Sequence, residues 1–320
     1  MDRVRGRQGA PLGSRGHEDP ELSGGQGRQY GAEWSAGLRR GTDAELRGWV
    51  EAARGWCDAA DAIALRHFRR DLQLERKPDR TFVTVADRAI ERLVRERIAD
   101  AFPGHGVVGE EYGSDDGTSG IRWYVDPIDG THNFLRGVPL FATLLAVERD
   151  GELQAAVISA PAMRERWSAW RGGGAWAEGG PGGAADGGSG GPEPGAARRI
   201  EVSRVAELSD AQILYASATS IEASGRAPGF RALLGNAWRE RGFGDFWGYT
   251  LLAEGAAEAM VEVDLWPWDA AAPMLLVEEA GGRVTDLEGR RSFEGASFLA
   301  TNGLLHETIR HRLTAPIAEQ

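Results

Sequence analysis

The sequence predicts a layered α/β fold, and two observations support that prediction. Between residues 121 and 176, short apolar stretches are separated by turn signals such as Asp150-Gly151, which is typical of an antiparallel sheet. From residue 212 to 313, apolar strands alternate with helical patterns, as in sheets that are covered by helices. The chain has 320 residues, enough for one large domain or two smaller ones.

Composition narrows the classes of protein that the chain can belong to. A formal net charge of −11 disfavours nucleic acid as a partner. No apolar run approaches the length of about 18 residues that a membrane span needs, and the arginines near the N-terminus lack the apolar core of a secretory signal. Cys57 is the only cysteine, which excludes a disulfide within the chain and favours a reducing compartment. We therefore expect a cytoplasmic protein.

Two segments predict no packed structure. Residues 1–41 are rich in Gly, Arg, Gln and Ser and predict a disordered tail, while residues 179–197 are almost all Gly, Ala, Pro and Ser and predict a flexible loop. This loop would separate an N-terminal half, residues 42–178, from a C-terminal half, residues 198–320. We expect the two halves to complete one site together.

Two helices open the N-terminal half. Thr42 begins a capping box, and the apolar spacing after it predicts a helix to about Phe68. Thr84 can cap a second helix, which Pro103 stops and whose first turn holds Asp87, a position that the helix dipole favours for any acid. Residues 104–109 then match G-x-G-x-x-G, but a helix precedes them and two acids follow, so we reject a dinucleotide site. Residues 107–108 read instead as a short strand that ends at Glu110.

The most informative stretch runs from residue 121 to residue 143. An apolar strand, residues 121–125, ends on Asp126, and Pro127 predicts a turn. Asp129 follows, and Gly130-Thr131 opens a short helical turn with free backbone N–H groups. Two carboxylates beside a helix start suit metal-assisted phosphate chemistry.

The remaining elements continue the two patterns. Strands are predicted at residues 141–147, 153–159, 166–170, 175–176, 212–215, 259–263, 284–286 and 298–301, and helices at 230–238, 247–253, 269–280 and 304–313. The six histidines have no ligand spacing, so a zinc site is not expected. Carboxylates at strand ends and helix starts remain as candidate ligands, and such oxygen ligands favour Mg²⁺; they are Glu110, Asp126, Asp129 and Asp269.

Four ordered motifs across residues 45–313 resemble the inositol monophosphatase family. They are Val83-Thr84-x-x-Asp87, Gly109-Glu110-Glu111, Trp123-x-x-Asp126-Pro127-Ile128-Asp129-Gly130-Thr131-x-Asn133-Phe134, and Trp268-Asp269-Ala270-Ala271 with Glu279-Ala280-Gly281-Gly282. The resemblance implies an αβαβα sandwich of the inositol monophosphatase and fructose-1,6-bisphosphatase type. It also implies a homodimer that hydrolyses small phosphate monoesters with Mg²⁺.

The resemblance also assigns roles to residues. Glu110, Asp126 and the Ile128 carbonyl would hold a first Mg²⁺. Asp126, Asp129 and Asp269 would hold a second, and Glu110 could share a weaker third through water. Thr131, paired with Asp87, would orient or deprotonate the attacking water, with the basic Lys77 nearby. The backbone N–H groups of Gly130 and Thr131 would receive the phosphate.

The substrate is less constrained than the reaction. Arg136-Gly137-Val138-Pro139 and Gly242-Phe243-Gly244-Asp245-Phe246-Trp247 are most similar to the histidinol-phosphatase branch, although His132 stands where that branch often has Lys. Asp245 and Glu262 fall where family members contact the organic part of the substrate, and two acids could pair with the cationic histidinol phosphate. The alternatives are an inositol-1-monophosphatase or broad sugar-phosphate phosphatase and, in another class, a non-catalytic metal- or phosphate-binding regulator.

Overall fold

The structure is a computed structural model that describes residues 41–70, 74–76, 82–179 and 197–314. Nearly all of the predicted tail and of the predicted loop, together with Lys77, lie outside these residues. The division into two halves therefore stays a prediction. None of the helices in the described part of the chain is both long and apolar enough to cross a lipid bilayer.

The first elements are two capped helices. Helix α1 (Asp43–His67) begins after Thr42, whose hydroxyl accepts a hydrogen bond from the backbone of Glu45. Strands β1 (Leu74–Arg76) and β2 (Phe82–Thr84) pair antiparallel, and Thr84 caps helix α2 (Val85–Ala101) in a capping box with Asp87. Both helices pack their apolar faces on one side of the larger sheet, so the helices predicted here are confirmed.

That larger sheet has eight strands in the order β10-β9-β8-β7-β6-β5-β3-β4, and only β3 and β5 run parallel to each other. A short helix, α3 (Thr131–Leu135), follows β5. The strands are β3 (His105–Gly109), β4 (Gly113–Gly117), β5 (Ile121–Asp129), β6 (Ala142–Arg149), β7 (Glu152–Ala160), β8 (Glu165–Trp170), β9 (Gly174–Gly179) and β10 (Arg198–Ile200).

The remaining strands form a mixed five-stranded sheet in the order β12-β11-β13-β15-β14. Its strands are β11 (Gln212–Tyr215), β12 (Arg239–Arg241), β13 (Ala259–Val263), β14 (Arg283–Thr285) and β15 (Ser297–Thr301). The helices of this region are α4 (Ala218–Ile221), α5 (Ala227–Asn236), α6 (Asp245–Ala253), α7 (Pro267–Glu279) and α8 (His306–Thr314).

The layers stack as a five-layer sandwich. Helices α1 and α2 cover the outer face of the eight-stranded sheet, and α6 and α7 fill the space between the two sheets. Helices α5 and α8 cover the outer face of the five-stranded sheet. The predicted αβαβα sandwich is confirmed: one apolar core surrounds the central helices, and a further core lies under each outer helix layer.

One local prediction is wrong. Pro127 was expected to make a turn, but β5 continues to Asp129, and its register against β6 shifts between Asp126 and Asp129. Such a bulge leaves one residue outside the ladder, which accommodates a proline that has no N–H to donate. The G-x-G-x-x-G match was rejected as a dinucleotide site, which would need these residues as a loop that opens a helix. Residues 105–109 instead form strand β3 of the sheet.

Candidate active site

A cavity of about 460 Å³ opens where β5 ends, between the eight-stranded sheet and the starts of α6 and α7. Nine of the eleven predicted site residues line it: Glu110, Asp126, Ile128, Asp129, Gly130, Thr131, Asp245, Glu262 and Asp269. Asp87 is not among the lining residues, and Lys77 lies outside the described part of the chain. The predicted site residues therefore lie together in one cavity, and the chemical role of each one stays a prediction.

The bulge at the end of β5 is held by local hydrogen bonds. The Ile128 N–H donates to Asp126 Oδ1 at 3.0 Å, and the buried Thr143 hydroxyl donates to the Pro127 carbonyl at 2.9 Å. The Thr131 hydroxyl donates to the Ile128 carbonyl at 2.9 Å. These contacts fix the backbone that carries Asp126, which is only 2% exposed.

Three carboxylates converge in the cavity. Asp126, Asp129 and Asp269 can each offer an oxygen, and these three atoms lie within 4.8 Å of one another. Asp129 Oδ2 accepts from the Phe246 N–H at 2.6 Å, and Asp269 Oδ2 accepts from the Trp266 N–H at 2.9 Å. The strand end and the first turns of α6 and α7 therefore fix the cluster.

The cluster is electrostatically unfavourable without a cation. Burial raises the pKa of Asp126 well above its ordinary value, and the charges of Glu110, Asp129 and Asp269 raise it further. Burial likewise raises the pKa of Asp129 strongly and that of Asp269 to about 7. Like charges this close cannot all ionise unless positive charge is bound. These hard oxygens suit a divalent cation such as Mg²⁺.

Asp87 lies in the first turn of α2 and is not part of the cavity lining. It is fully buried, its Oδ2 accepts the Thr84 N–H at 2.8 Å, and its Oδ1 has no hydrogen-bond partner among the residues that the structure describes. Burial raises the pKa of Asp87 to about 6, and the charge of Glu110 raises it as well. Because the Thr131 hydroxyl bonds the Ile128 carbonyl, the pairing of Thr131 with Asp87 stays a prediction.

A second group of acids lines the same cavity. Asp245 begins α6 with φ +55°, accepts from the Asn133 side chain at 2.9 Å, and has its pKa raised by burial, with His132 opposing the rise. The Tyr249 hydroxyl donates to Glu262 at 2.7 Å, and burial raises the pKa of Glu262 to about 8. Tyr249 was not among the predicted site residues, because its spacing in the sequence is that of a residue in the buried face of a helix.

The five-layer sandwich and its acidic cavity are those of a class of phosphoric monoester hydrolases. A sequence model of the inositol monophosphatase family matches residues 45–319. The chain belongs to the inositol monophosphatase family.

The similar proteins include relatives named histidinol-phosphatase and relatives named inositol-1-monophosphatase. A histidinol-phosphatase of Mycobacterium tuberculosis is 43% identical over 81% of this chain and 95% of its own length. An inositol-1-monophosphatase of Rhizobium meliloti is 35% identical over 78% of this chain and 88% of its own length. The crystal structure of the extragenic suppressor protein suhB from Bartonella henselae has a TM-score of 0.74 and 29% identity, over 84% of this chain and all of that one.

Proposed function

We propose that this chain is a Mg²⁺-dependent histidinol-phosphatase that converts L-histidinol phosphate and water to L-histidinol and phosphate in histidine biosynthesis. The observation that carries the proposal is the pair Asp245 and Glu262, which lines the same cavity as the carboxylate cluster. The relative from Mycobacterium tuberculosis, named histidinol-phosphatase, supports it. The protein would act in the cytoplasm as a homodimer.

Two Mg²⁺ ions would be held by Glu110, Asp126 and the Ile128 carbonyl, and by Asp126, Asp129 and Asp269, with a third bound more weakly near Glu110. The mutual repulsion of these buried carboxylates supports this assignment. When bound, Mg²⁺ supplies positive charge that offsets the phosphate and makes a water molecule easier to deprotonate. Small phosphate esters commonly share such ions with protein carboxylates.

The residues at the end of β5 would position the phosphate and the water. The N–H groups of Gly130 and Thr131 would donate to phosphate oxygens. Gly130 suits this place because its φ is +78° and a Cβ would lie 2.8 Å from the Leu140 carbonyl oxygen. The Thr131 hydroxyl would hold the water and Asp87 would accept its proton, consistent with a carboxyl whose pKa is near 6. Lys77 would add positive charge nearby.

Asp245 and Glu262 would recognise the organic part of the substrate. Histidinol phosphate carries an ammonium and an imidazole, and charge-assisted hydrogen bonds to carboxylates are stronger than neutral ones. Binding a cation would also hold Glu262 in its ionised form, against the burial that raises its pKa to about 8.

Inositol 1-phosphate is the second candidate substrate. The Tyr249–Glu262 pair offers both a donor and an acceptor for hydroxyl groups, and the Rhizobium meliloti relative is named inositol-1-monophosphatase. Inositol has no cation, so Asp245, which burial already disfavours in its charged form, would gain no ionic partner from it.

The deciding experiment compares kcat/KM for L-histidinol phosphate and inositol 1-phosphate with purified protein and Mg²⁺. We expect the higher value for L-histidinol phosphate. Asp245→Asn should lower that preference, whereas Asp210→Asn, an exposed acid outside the cavity, should leave it unchanged. A higher value for inositol 1-phosphate refutes the proposal in favour of the second candidate.

A further inference from the structure

Two stacked indoles stand in the wall of the acidic cavity. The rings of Trp266 and Trp268 have centroids 5.4 Å apart and planes within 7°, and both residues line the cavity. Trp266 is 56% exposed. Leaving so large an apolar ring in water forgoes the favourable free energy of burial. Core packing therefore does not explain Trp266.

Hydrogen bonds hold the backbone of Trp266 beside the carboxylate cluster. Trp266 is the N-cap of α7, and Pro267 occupies the first helical position. The Trp266 N–H donates to Asp269 Oδ2 at 2.9 Å, and the Asp269 N–H donates to the Trp266 carbonyl at 3.1 Å. Because Asp269 belongs to the cluster that would hold the phosphate through Mg²⁺, the backbone of Trp266 is held beside that phosphate.

The surroundings favour a flat, positively charged ligand. An indole face is electron-rich and attracts cations and aromatic rings. Asp245 and Glu262 add two carboxylates to the same cavity. Its volume, about 460 Å³, falls within the range of small-molecule sites and exceeds what a phosphate alone needs.

We propose that Trp266, backed by Trp268, is a substrate-binding residue on which the heteroaromatic ring of a cationic phosphate monoester stacks. This inference rests on the proposed function. It adds the residue that selects for a substrate whose alcohol part carries an aromatic ring. The carboxylates recognise charge and the indole pair recognises the ring. A substrate that has the charge but not the ring should therefore be indifferent to Trp266.

The test measures KM and kcat with Mg²⁺ for L-histidinol phosphate and for 2-aminoethyl phosphate, which has an ammonium but no ring. Trp266→Leu should raise KM for L-histidinol phosphate up to about tenfold, as loss of an aromatic stacking contact predicts, with kcat nearly unchanged. KM for 2-aminoethyl phosphate should stay as in the wild type. Trp266→Phe, which keeps an aromatic face, should recover most of the loss. Trp238→Leu is the matched control, because Trp238 is 66% exposed and lies outside the cavity lining.

Two results overturn the inference: an unchanged KM for L-histidinol phosphate in Trp266→Leu, or an equal rise for both substrates. Failure of the proposed function is a different result, a wild-type preference for inositol 1-phosphate. The two are distinguishable because the ratio of the KM values for the two cationic esters reports on the ring-binding contact for any phosphatase activity that the enzyme shows. A melting curve for each variant confirms that it is folded.

Discussion

Glu91 offers the most direct test of how the fold positions its acidic cavity. This residue of α2 is fully buried, and its carboxylate accepts from the Glu111 N–H at 2.6 Å, the Tyr112 N–H at 3.1 Å and Arg95 Nε at 2.8 Å. These bonds hold the turn after β3, and that turn carries Glu110 into the cavity. The perturbation that we consider is Glu91→Gln.

The expected loss follows from the three donors. A glutamine amide keeps the shape, but its NH₂ group cannot accept, so at least one buried N–H loses its partner, at a cost of about 1–3 kcal/mol. The bond with Arg95 also changes from a charge-assisted hydrogen bond, worth about 1.5–3 kcal/mol, to a neutral one, worth about 0.5–1.5 kcal/mol. Together these losses should lower the free energy of unfolding by about 2–4 kcal/mol. For a chain of this size that lowers Tm by about 4–16 °C.

Thermal unfolding followed by circular dichroism measures this loss, and Glu96→Gln provides the control, because Glu96 lies on the same helix but is exposed. Mg²⁺ titration of the folded variant, followed by calorimetry, should show weaker binding than in the wild type, since Glu110 is no longer held in place. A Glu91→Gln protein that melts within about 1 °C of the control would refute this account of the turn.

Three further predictions concern the cavity itself. Asp126→Asn removes the carboxylate shared by both proposed Mg²⁺ sites and should abolish phosphate release; wild-type activity would contradict the metal assignment. In EDTA, Tm should fall as pH rises from about 4 to 7, because burial raises the pKa of Asp87 to about 6 and of Asp269 to about 7, so protons that stabilise the folded state are lost over that range. A Tm that stays constant over this pH range would contradict the prediction. Gly130→Ala forces a side chain into φ +78° and should cost about 1–3 kcal/mol in urea unfolding, whereas Gly235→Ala, with open space around it, should not.

The elements that the sequence predicted share strong local signals. Thr42 and Thr84 cap α1 and α2 as expected, and the apolar runs became the buried strands of both sheets. Strand β4 (Gly113–Gly117) was missed because it is exposed along its whole length and contains only Gly, Ser and Asp. Its pairing with β3 is a tertiary effect, which local propensity does not record.

The cavity could be predicted only in part, for a related reason. Acids at strand ends and helix starts stood out because each interrupts an apolar run, and the family resemblance placed them in one site. Contacts between distant segments gave no such signal. The Phe246 N–H on Asp129 and the Tyr249 hydroxyl on Glu262 depend on how α6 packs between the two sheets.

The bulge in β5 has a consequence for how its two acids are spaced along the chain. In a regular strand, residues three apart point to opposite faces of the sheet. Here Asp126 stands opposite Leu144 and Asp129 opposite Ala142, so three steps on one strand match two on its neighbour. Leu144 and Ala142 both face the core between the sheets, and the acids opposite them share that side. One extra residue thus converts a spacing that would straddle the sheet into a pair of carboxylates aimed at a single point.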